Sequence, residues 1–138
     1  MTFTLDPRLE ADTHPVTEMS LCRVLLSRDA NYPWAILVPQ VDGAADLIDL
    51  DTADRAMLAL EVDAVSRALK SLTNCDKLNV AALGNMVRQL HIHVIARFEG
   101  DAAWPGPVWG KVEATDYAGD EAELFAAKLA AAVRSEIT

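Results

Sequence analysis

Cysteine is scarce: Cys22 and Cys75 are the only two in the 138-residue chain. They lack CxxC spacing and form no framework of several pairs, so neither a disulfide nor a zinc scaffold is expected. Cations are also few, 12 lysines and arginines against 21 acids, for a net charge of −9. Non-specific nucleic-acid binding needs basic side chains to neutralise phosphates, so nucleic acid is not an expected partner. One small anionic ligand is still compatible with that balance, because backbone amides and a few polar groups can hold a phosphate. No apolar stretch is long enough to span a membrane. Segment 1–16 has no basic region followed by an apolar run, the mark of a signal peptide. The expectation is a cytoplasmic protein with no membrane partner.

What is present is an ordinary folded composition, 51% hydrophobic and 24% charged, far from the disordered class. The length suits one domain over residues 1–138. A chain of this size buries one sizeable core. A ligand site then belongs on the face of that core or at a subunit boundary.

The first fifteen residues are polar and broken by Pro7 and Pro15; Asp6-Pro7 can start a short helix. Leu21–Ser27 reads as a strand, Arg28–Pro33 as a turn, and Trp34–Val38 as a second strand closed by Pro39. The two strands are near enough in sequence to form a hairpin. Asp51 or Thr52 can cap a long helix, with Asp54 favoured in its first turn. Leu58, Val62, Val65, Leu69 and Leu72 fall on one face of that helix, which therefore faces the core. Asn74 ends it. Leu78–Leu83 reads as a third strand, Gly84-Asn85 as a turn, and Gln89–Arg97 as a fourth strand. Trp104–Gly110 is a loop of aromatics, proline and glycine. Gly119–Ser135 reads as a second helix with Phe125, Leu129 and Ala132 on one side. Short connections favour antiparallel pairing. The expected fold class is α+β, with helices packed on one face of a sheet.

Histidine is also scarce: three in the chain, two of them His91 and His93. Residues two apart on a strand share a face. Gln89, His91 and His93 then project together, roughly 6–7 Å apart along the strand, and Leu90, Ile92 and Val94 turn to the core. Imidazole changes charge near neutral pH. Three readings fit this row. One is a solvent-facing strand with alternating polar residues. A second is a metal site, but metals want three or four ligands, and the remaining candidates are His14, Glu99, Cys22 and Cys75. Glu99 lies past the expected strand end, so no metal and no cofactor are expected. His14, before a proline in a polar segment, reads as an exposed histidine. The third reading is phosphoryl chemistry.

The segment from Asn79 to Arg97, with its Gly84-Asn85 turn and its alternating Gln89-Leu90-His91-Ile92-His93, resembles the histidine-triad (HIT) signature. Leu25–Pro39 resembles that family's hairpin, and Trp104-Pro105-Gly106 is similar to the tail of one branch. The likeness runs from Leu21 to Gly110. It implies a HIT-like antiparallel sheet with one long central helix and a C-terminal helix. It implies a hydrolase or nucleotidyl transferase, similar to diadenosine polyphosphate hydrolases, acting on a phosphoanhydride or phosphoramidate of a nucleotide. The partner it implies is a small-molecule nucleotide or nucleotide conjugate, and the assembly a homodimer. By position His91 is the nucleophile that attacks the α-phosphate, and water then releases the mononucleotide. Imidazole suits this step, because a covalent intermediate divides one hard displacement into two. His93, the last member, contacts the phosphate or leaving group. Asn79 and Asn85 supply amides near the phosphate.

The pattern departs at four places. Gln89 stands for the first histidine; it can orient a neighbour by hydrogen bonds but carries no charge. Met86 stands where many relatives have a hydroxyl. Ser27 stands where an acid or amide often holds the ribose. Ala96 replaces a proline before Arg97, which shares the face of His91 about 20 Å further along the strand and reads equally as a surface or subunit salt-bridge residue or as a ligand contact. The tryptophan loop reads either as a cover or base-stacking platform for the site, or as packing. A binding module that keeps the fold without the chemistry is the rival reading.

Overall fold

The computed structural model describes residues 2–137. Five strands form one antiparallel sheet: β1 (Thr13–Glu18), β2 (Cys22–Ser27), β3 (Trp34–Pro39), β4 (Lys77–Ala81) and β5 (Ile92–Arg97), in the order β1-β2-β3-β5-β4. Three α-helices accompany them: α1 (Pro7–Ala11), α2 (Thr52–Thr73) and α3 (Glu121–Ile137). The α+β class, the hairpin and the two long helices are as expected from sequence.

Helix α2 begins where Asp51 accepts the amide of Asp54 at 2.8 Å. It ends at Asn74, whose φ of 52° is left-handed, a conformation asparagine tolerates better than most residues. Leu58, Val65 and Leu69 of the stripe are buried and Val62 partly so, whereas Leu72 at the far end emerges into solvent. Inside the same stripe sits a carboxylate. Glu61 is buried and accepts the amides of Leu21 at 2.9 Å and Cys22 at 2.8 Å. It thereby fastens the start of β2 to the helix. Burial first, and then the charge of Glu61, push the Cys22 thiol pKa well up, so this cysteine is an inert thiol.

The sheet has an apolar layer on each face. Ala35, Leu37, Ile92, Val94 and Ala96 join α2 and α3 in one layer. Trp34, Ile36, Val38 and Ile95 join Leu5, Leu9, Tyr32, Ala103 and Val108 in the other. This second layer carries the histidines.

Four readings from sequence are corrected here. Thr13–Glu18 is a strand, not an irregular polar segment; it lies at the sheet edge, where Pro15 is tolerated, with an irregularity between Pro15 and Thr17. His14 is half-buried on that strand, edge-on to Tyr117. The third strand closes at Ala81, before Leu83. The last strand opens at Ile92 rather than Gln89, because the Leu90 amide donates to the Ala44 carbonyl at 3.0 Å and leaves the ladder.

Candidate active site around His91 and His93

Although His91 precedes the regular ladder, it keeps the face expected of it. The His91 and His93 rings meet edge to face with centroids 4.9 Å apart. Both are nearly buried, at 6% and 5% exposure. They form one wall of a cavity of about 450 Å³, shared with Leu9, Asp12, Ser27, Ile36, Asn85 and Trp109 among others.

His91 has its ring orientation set by the main chain. Its Nδ1 lies 2.7 Å from the Gln89 carbonyl oxygen. A carbonyl only accepts, so Nδ1 carries the proton and donates. Nε2 of the neutral ring then holds a free lone pair. Gly84 packs against the same ring. A Cβ there would collide with His91 Cε1 and lie 2.7 Å from Nε2. We expect Gly84→Ala to displace the ring and lower kcat/KM by roughly 10²-fold, as misplacing a reacting group by about 1 Å does. A steady-state assay checks it; unchanged kinetics would mean the loop yields instead.

His93 has both nitrogens engaged. Trp34 Nε1 donates to Nδ1 at 3.0 Å, and Nε2 lies 2.7 Å from the Leu83 carbonyl. The rings of Trp34 and Trp109 also flank it, at 5.6 Å and 5.1 Å between centroids. Burial first pulls its pKa down to about 4; the bond to Leu83 opposes the shift and nearby His91 adds to it.

The remaining expected site residues divide. Ser27 and Asn85 line the cavity; the Ser27 Oγ accepts the Asp29 amide at 3.2 Å and keeps its own O–H to donate. Met86 stands at the rim, 82% exposed. Gln89 turns its side chain away from His91. Its Oε1 accepts the Asp6 amide at 2.8 Å and its Nε2 donates to the Thr4 carbonyl at 2.9 Å. Asn79 pairs across from Ile95, and its Oδ1 accepts from Arg97 Nη1 at 2.7 Å; it is not part of the cavity wall.

Arg97 is a salt-bridge residue but a buried one, and it is not part of the cavity wall. It is 2% exposed and forks onto Asp101 at 2.8 and 3.0 Å, with the Gly106 carbonyl as a further acceptor. The Tyr32 and Trp104 rings lie at 5.7 Å on its guanidinium. Asp101 also accepts the amides of Phe98, Ala103 and Trp104. The tryptophan loop is thus packing at Trp104 and a site wall at Trp109. Sequence reading named neither Trp34 nor Trp109 as a site residue; only the pairing of β3 with β5 brings the Trp34 indole to His93. Among the described residues, no group of three or more His, Cys, Asp or Glu side chains is placed to hold a metal.

Fold and site together define a small α+β domain that offers a paired-histidine cavity to a compact ligand. The HIT domain family profile matches residues 8–100, and the chain belongs to the histidine-triad family. It is similar to a histidine triad protein of Bradyrhizobium japonicum, 47% identical with 100% of both chains covered and a TM-score of 0.91. A histidine triad protein of Marinobacter aquaeolei is 46% identical over 98% of both chains, with a TM-score of 0.92. One from Sinorhizobium meliloti is 48% identical, covering 93% of this chain and 95% of that one, with a TM-score of 0.90. No curated protein matches the chain.

Proposed function

We propose that this chain is a hydrolase or transferase of nucleotide conjugates that works through a nucleotidyl group on His91. Proteins of this family are usually nucleotide hydrolases or transferases. The observation that carries the reading is the His91 geometry: Nδ1–H is held by the Gln89 carbonyl, Nε2 has no hydrogen-bond partner among the described residues, and the ring lines the cavity beside Gly84. In the first step the Nε2 lone pair forms a bond to the α-phosphorus. The bond to the leaving group breaks, and that group takes the electron pair and a proton from water. In the second step water attacks phosphorus, the P–N bond returns its pair to Nε2, and the mononucleotide leaves as the water loses a proton.

The wall chemistry narrows the conjugate. Leu9 and Ile36 offer an apolar slot for a base, and the Ser27 hydroxyl a donor for a sugar oxygen. The cavity wall contains one carboxylate, Asp12, and among the described residues no lysine or arginine. A polyphosphate chain carries several negative charges and needs cations beside it. A mononucleotide joined to a neutral or amine leaving group carries one. The reading therefore favours phosphoramidates over dinucleoside polyphosphates. With purified protein, we expect kcat/KM for adenosine and guanosine phosphoramidates to exceed that for diadenosine tetraphosphate by at least about 10-fold, the factor that 1.4 kcal/mol makes. The reverse order would refute the charge argument. Tight binding of a mononucleotide with no turnover of any conjugate would favour a non-catalytic module, for which the non-histidine Gln89 and exposed Met86 speak.

A further inference from the structure

We infer that His93 is a positioning residue locked as the neutral Nε2–H tautomer by the Trp34 indole and the Leu83 carbonyl, and that it holds the Leu83-Gly84 backbone against His91. It does not transfer a proton in the reaction.

Two bonds fix the tautomer without appeal to any titration. An indole nitrogen can only donate and a carbonyl oxygen can only accept. Trp34 Nε1 at 3.0 Å therefore requires a lone pair on His93 Nδ1. The Leu83 oxygen at 2.7 Å requires a proton on Nε2. No other neutral arrangement satisfies both partners. A second proton on Nδ1 would set donor against donor across that 3.0 Å contact in a buried place. The low pKa of the ring, about 4, agrees with this.

The consequence runs along the backbone. Leu83 immediately precedes Gly84, and Gly84 is the residue packed on the His91 ring. The loop 82–91 crosses the site with no strand pairing. His93 ties that loop to β5, and Trp34 ties His93 to β3. The nucleophile is thus confined from two sides: by the Gln89 carbonyl at Nδ1 and by a loop that His93 secures. The groups packed around His93 are His91 on its own chain segment, Trp34 on β3, Ala81 on β4, Leu83 on the loop and Trp109 in the loop between β5 and α3. Of these the only ionisable side chain is that of His91.

The inference rests on the proposed reaction only for its kinetic test; the tautomer can be read in the resting protein. With ¹⁵N-labelled histidine, the parent should show an unprotonated Nδ1 and a protonated Nε2 at His93, unchanged from pH 8 to pH 5. Trp34→Phe keeps an aromatic ring and removes the donor, so the His93 titration midpoint should rise by at least about one unit. An Nδ1–H tautomer in the parent, titration of His93 between pH 6 and 7, or an unmoved midpoint in Trp34→Phe would each overturn the lock. For turnover, His93→Gln retains an N–H near Nε2 and cannot titrate. It should keep kcat within roughly 10-fold of the parent, whereas His93→Ala should lose about 100-fold or more. A proton carrier predicts the opposite, equal losses in both variants of the size general acid–base catalysis supplies, about 10²–10⁴-fold. Should the parent form no adduct on His91, the proposed reaction fails while the NMR result still decides the lock.

Discussion

Incubation with an activated adenylate should leave a transient adenylyl adduct on the protein, mapped by peptide mass to His91, and His91→Ala should abolish it. Turnover should fall by at least about 10⁴-fold if His91 is the nucleophile we propose. The adduct should vanish in acid and survive mild base, as a phosphoramidate does. The variant should stay folded by circular dichroism, because the ring faces the cavity and not the helical core layer. Gln89→Ala is the informative comparison. It retains the carbonyl that accepts from His91 Nδ1 and loses only the ties to Thr4 and Asp6. We expect it to cost no more than about 10-fold, far less than losing a group positioned for attack. Equal loss in the two variants would assign the Gln89 side chain a direct part, and full turnover in His91→Ala would sink the mechanism.

The largest effect on stability is expected at Arg97. Its side chain is 2% exposed and that of Asp101 6%. Removing one member leaves the other charge buried without its partner, which costs about 3–5 kcal/mol. Chemical denaturation of Arg97→Ala should show that loss, and Arg97→Met combined with Asp101→Asn should lose less than Arg97→Ala alone. A loss below 1 kcal/mol (about 5-fold in the folding equilibrium) would show the pair to be dispensable. The same pair sets a pH response. The bond from Arg97 holds the Asp101 carboxyl down at about 2, helped by the amides of Phe98, Ala103 and Trp104. Its folded pKa lies below the ordinary unfolded value near 3.9. The unfolded chain therefore binds the proton first, and the stabilisation, complete above about pH 5, is lost as pH falls through 4 towards 2.

How much of this was legible in the sequence differs from element to element. The α2 stripe and its Asp51 cap could be read because helix burial repeats every 3.6 residues and an N-cap needs a side-chain acceptor. The shared face of His91 and His93 followed from the two-residue period of extended chain. Strand β1 was hidden because an edge strand half in solvent shows no apolar run and accommodates Pro15. The start of β5 was misread because alternation persists through Gln89 and Leu90 while their hydrogen bonds go elsewhere, to Ala44 and the N-terminal segment. Burial of Arg97 was invisible for a similar reason. Its partner Asp101 lies beyond the strand end, and only the tertiary fold gathers Asp101, Gly106 and Trp104 of the following loop, Asn79 of β4 and Tyr32 of the β2–β3 turn around one guanidinium. The role of Trp34 depends on the register that sets β3 beside β5, which no local pattern encodes.

Position 89 shows what a motif does and does not measure. The atom that touches His91 there is a main-chain oxygen, which every amino acid possesses. The side chain at the same position has a separate employment, clasping the N-terminal segment that runs into α1. A search rule written as three alternating histidines would pass over this chain, although the contact that orients its central ring is intact. In this chain the side chain at this place fastens the N-terminal segment, while its main-chain oxygen orients the ring two places on.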